Sequence, residues 1–279
     1  MSAGKSSGAS GGVVSPVETM ITAIAGMLEG LGHVAVGARS PIPGSAAHLA
    51  SARSGGRLRV SILGSRRHSS FTDGARELFD CAGQGRIDAF FLSGGQIDGQ
   101  ANINLVGIGD IADYPKAQAR FPGSFGSAYL YFVVPRVILF HQEHSPRVLV
   151  DKVDFISAPG ASPPEVYRPG GPYALVTSLC VFHFDRTRAR FTLASVHAGV
   201  SAGDVRKATG FDYDEPKTAA VTPAPDADTL RLLRGDVARA VAETYPAFAA
   251  RAARAAFVCS ITLSARAGSK PRISCSTSA

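Results

Sequence analysis

The sequence predicts an α/β fold: an open, mostly parallel sheet with helices on both faces, completed by a C-terminal β-hairpin and helix. Three observations carry this. Short apolar runs alternate with stretches of helical spacing through the first hundred residues. A glycine-rich turn follows each of the first three runs, at Gly37, at Gly64-Ser65 and at Gly94-Gly95. The composition is that of a packed globule: 279 residues, 45% hydrophobic and 18% charged. A chain of this length buries a sizeable core.

Each element has its own warrant. Residues 1–15 are rich in Gly, Ser and Ala and read as a disordered tail. Met20, Ile21, Ile24, Met27, Leu28 and Leu31 recur at helical spacing, so residues 17–31 form a helix that Gly32 stops. Residues 33–37 read as a buried strand, and residues 40–50 as a loop followed by a helix. Residues 59–63 are a second strand, 73–82 a helix and 88–92 a third strand. In parallel sheets of this kind ligands sit beyond the carboxyl ends of the strands. Residues 151–160 read as a strand leading to a Pro-Gly turn. Residues 179–184 and 190–196 pair as a hairpin around Asp185–Arg188, and the alternation in the second strand leaves one face wet. Ser201 caps a short helix, with Asp204 three residues on and Gly210 as its stop. Residues 214–225 read as a linker. Residues 226–245 form one amphipathic helix with Leu230, Leu233, Val237 and Val241 on a face. The expected organisation is thus a tail (1–15), one α/β domain (16–250) and a basic, poorly ordered tail (251–279).

Charge and cysteines exclude several function classes. The net charge is +7, but the residues from Arg231 onward hold eight basic and two acidic side chains. The remainder is close to neutral, which argues against a nucleic-acid partner. No apolar run reaches the about 18 residues a membrane span needs. The best one, residues 129–140, is broken by Pro135 and Arg136. No secretory leader is evident, so the expected compartment is the cytoplasm. Cys81, Cys180, Cys259 and Cys275 form no CxxC pair, which speaks against a zinc ribbon or a disulfide scaffold; Cys81 and Cys180 are expected to be buried thiols. His141 and His144 flank Glu143 without further ligands, so no metal site is expected. Ser65, His68 and Asp73 lie within nine residues without a nucleophile-elbow sequence, so they are rejected as a hydrolase triad.

Four segments carry candidate chemistry. Gly94-Gly95-Gln96-Ile97-Asp98 follows a strand and continues to Ala101-Asn102-Ile103-Asn104; the glycines permit close approach of a ligand. Gly123-Ser124-Phe125-Gly126 is a loop whose amides can cradle an oxyanion. Lys152 to Gly160 and residues 175–182 complete the set. In this order and spacing, with Pro115-Lys116, Glu143-His144, residues 196–200 and residues 208–211, the chain resembles the β subunit of the class I CoA-transferases. The likeness is greatest to the β subunit of the glutaconate CoA-transferase type and covers roughly residues 17–250.

The resemblance implies an α/β fold shared with some sugar-phosphate isomerases, an acyl-CoA thioester as substrate, no permanently bound cofactor, and an α subunit as partner in an α2β2 heteromer. It implies a substrate cleft built from Gly94, Gly95, Gln96, Asp98, Asn102, Gly123, Ser124 and Gly126, with Gly64, Ser65, Arg66, Glu143 and His144 as further candidates. The family's nucleophilic glutamate stands after an early strand. Here Ile62 or Leu63 occupies that place, and an aliphatic side chain cannot form an acyl anhydride. Three readings follow: CoA transfer with a carboxylate from the partner, CoA-ester hydrolysis as in the branch that degrades steroid rings, and a non-catalytic binding or scaffold protein. The likeness to that hydrolase branch includes the segment from His144 to Val148. A sugar-phosphate isomerase shares the fold but not the motifs.

Overall fold

A computed structural model describes residues 13–110, 112 and 116–251. The chain begins with helix α1 (Pro16–Gly26), strand β1 (His33–Val36), helix α2 (Pro41–Arg53), strand β2 (Arg59–Ile62), helix α3 (Gly74–Gly83) and strand β3 (Ala89–Leu92). Two small two-stranded ribbons follow, β4 (Gln96–Ile97) with β5 (Ile103–Asn104) and β6 (Gly107–Ile108) with β7 (Ala119–Arg120). Then come α4 (Ser127–Val133), β8 (Arg136–His141), β9 (Pro172–Thr177), β10 (Cys180–Asp185), β11 (Arg190–Val196), α5 (Ala202–Ala208) and β12 (Ala220–Val221). The C-terminal helical segment runs through α6 (Ala227–Leu232), a π turn (Leu233–Val237) and α7 (Ala238–Ala242).

One eight-stranded sheet organises the chain, in the order β12-β11-β10-β9-β8-β3-β1-β2. Five neighbouring pairs are parallel; only β9–β10 and β10–β11 are antiparallel. The predicted hairpin is therefore the continuation of the parallel sheet. Strand alternation sorts the core into two layers. Val34, Val36, Ile62, Phe91 and Ile138 pack beneath α1, α2 and the C-terminal segment, with Met20, Leu49, Val237 and Val241. Ala35, Phe90, Leu92, Val137 and Leu139 face α3 and α4, with Leu78, Leu130 and Tyr131. Helices cover both faces, as the sequence predicts.

Capping fixes the helix starts. Ser15 and Glu18 form a capping box on α1, and Ser201 and Asp204 form another on α5. Glu18 also pairs with Arg234 at 2.6 Å, tying the first helix to the last.

The structure corrects several expectations. Helix α1 ends at Gly26 and gives way to turns, although Leu28 remains fully buried. Residues 40–50 hold no loop, because Pro41 at the first helical position starts α2 at once. Residues 151–160 make no strand; their extended stretch adds a single bridge, Ala158 to Ile103. The 214–225 linker contains β12, whose two residues pair with Ser195 and Val196. The π turn interrupts the C-terminal helix, yet Leu230, Leu233, Val237 and Val241 are all buried as their spacing requires. Of the tails, residues 1–12 and 252–279 lie outside the described residues. Among the described residues no helix is long and apolar enough to cross a membrane.

Candidate active site

The carboxyl ends of β1, β2, β3 and β8 converge on one cleft of about 380 Å³. Gly37 follows β1, Leu63 follows β2, Leu92-Ser93 close β3, and Phe140 comes from β8. Leu78 and Phe79 of α3 form one wall; Phe125, Gly126, Ser127 and Leu130, from the loop into α4, form another. This is where an open parallel sheet binds its ligands. Local sequence shapes the rim. Gly64 has φ +83°, a conformation that turns the chain sharply after Leu63 and favours glycine. A Cβ on Gly126 would lie 2.1 Å from the Phe79 ring, so only glycine lets the loop sit on α3.

Burial separates the two residues that could stand where the family has its nucleophile. Ile62 is fully buried beneath α1 and α2, whereas Leu63 lines the cleft. Among the described residues no Asp, Glu, His, Cys or Lys lines it. The amides of Ser124, Phe125 and Gly126 have no acceptor among the described residues, although Gly123 donates to the Leu105 carbonyl and Ser127 to that of Ser124.

Comparison with known proteins places this arrangement. The sequence profile described as Coenzyme A transferase matches residues 18–208, more than two thirds of the chain. The chain belongs to the coenzyme A transferase family. It is 34% identical to the B subunit of the 3-oxoadipate CoA-transferase of Pseudomonas knackmussii over 165 residues, 57% of this chain and 62% of that protein. It is 29% identical to the cholesterol ring-cleaving hydrolase IpdB subunit of Rhodococcus jostii over 163 residues, with the same two shares. Both matches thus span less than two thirds of the relative's own length. The glutaconate coenzyme A-transferase structure from Acidaminococcus fermentans shares the fold at a TM-score of 0.71 and 24% identity, covering 83% of this chain and 97% of that one.

In this member of the coenzyme A transferase family the predicted site residues separate into groups. Gly126 lines the cleft, and Gly123 and Ser124 precede it on the same loop. Gly94 and Gly95 leave β3 just beyond the lining residue Ser93 and serve close packing. A Cβ on Gly95 would meet the Phe121 ring at 2.1 Å, and one on Gly94 would meet Ile103 at 2.4 Å. Gln96, Asp98 and Asn102 do not line this cleft; they are buried and engaged with protein. The Gln96 Oε1 accepts from Asn104 Nδ2 at 2.7 Å and from the Asp154 amide at 2.9 Å. Gln96 Nε2 donates to Asp154, whose carboxylate also takes the Gly109 amide. Asp98 accepts from the Asn102 amide and side chain, and Asn102 Oδ1 accepts from the Gly160 amide. Asp154 and Asn104 complete a web that pins the β4–β5 ribbon beside the cleft.

The turn after β2 is bound up too. Ser65 Oγ donates to Glu243 at 2.7 Å, and the Arg66 amide donates to the same carboxylate at 2.8 Å. The Arg66 amide, with the hydroxyls of Ser65 and Thr244, holds Glu243 down at about 2. Ser65 and Arg66 therefore anchor the C-terminal segment and do not line the cleft. Glu243 was hidden among helical residues in the sequence; nothing there signals its partner.

Glu143 and His144 diverge. Glu143 is half-buried, with Arg147 and Ser145 pulling it down to about 2. His144 is buried, bridging Thr177 Oγ1 at 2.7 Å and Thr209 Oγ1 at 2.9 Å, and burial pushes it down to about 4. It sits away from the cleft and ties β9 to the end of α5. Cys180, 3.8 Å from His144 Nδ1, is buried and pushed up to about 12. Cys81 is only half-buried, contrary to expectation, although it packs against the core from α3. His197 is satisfied by Thr222 Oγ1 and the Thr177 carbonyl. Among the described residues no group of three or more His, Cys, Asp or Glu is placed to hold a metal.

Proposed function

We propose that this chain is the β subunit of a heteromeric enzyme that transfers CoA between an acyl-CoA thioester and a carboxylic acid, with the catalytic carboxylate supplied by an α subunit. One observation carries the reading: a cleft at the carboxyl edge of the sheet, in a coenzyme A transferase chain, that offers no carboxylate nucleophile or base among the described residues. Attack on a thioester needs one, and Leu63 cannot provide it. Phe125 stands at the rim with 84% of its surface exposed, an apolar contact for a partner that closes the cleft. Both curated relatives are named as subunits.

In this reading the amides of the Gly123–Gly126 loop stabilise the charge that develops on the thioester oxygen. Gly94 and Gly95 let the backbone come close to the acyl-CoA. Gln96, Asp98 and Asn102 act through the web that fixes that turn. The chain works as one domain over residues 16–250 in an α2β2 assembly, without a permanently bound cofactor. The proposed compartment is the cytoplasm, where free thiols such as Cys180 stay reduced.

Leu63 favours a second reading, hydrolysis. Without a carboxylate on this subunit to hold the acyl group, water can take it directly, and one relative is named a hydrolase. Product analysis separates the two. The chain is purified with its α partner and given a panel of acyl-CoA esters, with and without acetate or succinate. A new acyl-CoA that forms only with acceptor is the expected result. Free CoA without acceptor establishes hydrolysis. A stable complex that turns over no ester leaves binding or scaffolding as the function and overturns the proposal.

A further inference from the structure

The two sides of the cleft are held by different means. Beyond β3, the turn is pinned by the web around Gln96 and Asp154. On the β1 and β2 side, Gly37 to Ser40 and Leu63 line the cleft. Both of those turns are met by one short piece of chain, residues 243–245, which follows α7.

Tyr245 holds the β1 turn. Its hydroxyl donates to the Gly37 carbonyl at 3.0 Å. A Cβ on Gly44 would lie 2.9 Å from the Tyr245 ring, so the ring also packs closely on the first turn of α2. Glu243 holds the β2 turn, accepting from Ser65 Oγ at 2.7 Å and from the Arg66 amide at 2.8 Å. Ser65 is buried, and its oxygen accepts from the amides of Arg67 and His68 at 3.3 and 2.9 Å. With both lone pairs taken, its proton goes to Glu243. The His68 carbonyl takes the Ile62 amide at 2.7 Å, which carries the tie back to the end of β2, beside Leu63.

The anchor is itself well seated. The Tyr245 amide donates to the Val241 carbonyl at 2.7 Å, and Val241 and Tyr245 are buried in the same layer as Val36 and Ile62. Glu243, by contrast, is exposed. Substituting an exposed side chain costs the core little, so what Glu243 fixes is the place of the β2 turn.

We infer that Glu243 and Tyr245 are positioning residues: one turn after α7 holds the turns after β1 and β2 together at the rim of the cleft, and so sets how tightly the acyl-CoA ester is gripped. The inference rests on the cleft being the thioester site. Neither residue lines the cleft; both act through the turns they hold.

The test is steady-state kinetics of the complex with the α partner, using the panel ester that wild type turns over fastest, together with hydrogen exchange of the β-subunit amides. Glu243→Ala is expected to raise KM roughly 10-fold, the size of one charge-assisted hydrogen bond, and to leave kcat within about twofold. Tyr245→Phe is expected to raise KM about threefold, because its bond joins neutral groups. In Glu243→Ala the amides of residues 62–68 should exchange faster, while those of β8 exchange as in wild type. Asp226→Ala removes the cap of α6, at the other end of the same segment, and should lower the urea midpoint without moving KM. A lower kcat at unchanged KM in Glu243→Ala overturns the inference, because that is the mark of a smaller folded fraction. So does a KM in Asp226→Ala that rises as far as in Glu243→Ala, and so does unchanged exchange at residues 62–68. In each of these cases the acyl-CoA function stands. If the wild-type complex turns over no ester, the functional reading itself has failed and the inference falls with it.

Discussion

The β4–β5 web and the cleft beside it handle polar groups in opposite ways. In the web, Gln96, Asp98, Asn102, Asn104 and Asp154 answer one another, and the first four are buried. In the cleft, Arg39 and the amides of residues 124–126 have no partner among the described residues. A closed network holds shape, because any missing member strands a buried donor or acceptor. Open donors add little to the isolated chain's stability and leave capacity for a ligand. Polar residues in a glycine-rich turn are thus not by themselves a binding site; what matters is whether their hydrogen bonds are already made.

Substitutions should separate the two regions by what they damage. The largest loss is expected from Asn104→Ala. Its Nδ2 donates to Gln96 Oε1 and the Gly107 carbonyl, and its Oδ1 accepts from the amides of Val106 and Gly107. Stranding these groups should cost about 3 kcal/mol in urea unfolding. A loss below about 1 kcal/mol would mean that water replaces the side chain and the web is not closed.

Acid should expose a comparable dependence at His144. The unfolded chain takes up a proton near 6.5, which the buried ring refuses until about 4. Stability therefore falls as pH drops through that window, and the contribution of this ring is fully lost below it, at about 3 kcal/mol. His144→Gln should flatten the slope between pH 6.5 and 4; an unchanged slope would assign it to other histidines.

Next comes the cleft loop. Gly126→Ala pushes a methyl into the Phe79 ring and should cost about 2 kcal/mol. It should also weaken CoA-ester binding in the assembled enzyme, which Asn104→Ala need not do once folded. The smallest effect is a gain. Ala101 is fully buried at φ +60°, where a side chain is strained. Ala101→Gly should raise stability by about 0.5 kcal/mol, read as a small increase in the urea midpoint.

Much of this architecture is legible in the sequence, for a physical reason. Parallel strands buried on both faces must be apolar along their length, so β1 and β3 stand out as short runs between turns. Caps are equally local: Ser201 and Asp204 are three residues apart in the chain and in the capping box. What escapes is whatever a distant partner decides. Ala220 and Val221 become a strand only because the β11 edge is there to pair with them. Gln96 meets Asp154 across 58 positions and Ser65 meets Glu243 across 178, so sequence cannot distinguish an engaged side chain from a free one. Strand register resolves Ile62 from Leu63, since neighbours along a strand face opposite sides and only one can reach the cleft.

The long reach from Glu243 to the turn after β2 has a consequence in time. Synthesis adds roughly 5–20 residues each second, so roughly 10–40 s separate the emergence of Ser65 from that of its carboxylate partner. Tyr245, whose hydroxyl donates to the Gly37 carbonyl at 3.0 Å, arrives later still. The first two strands can pair early on the ribosome, but the turns at their carboxyl ends wait for the last helix. The nascent chain thus carries an unfinished rim until Glu243 and Tyr245 have left the ribosome.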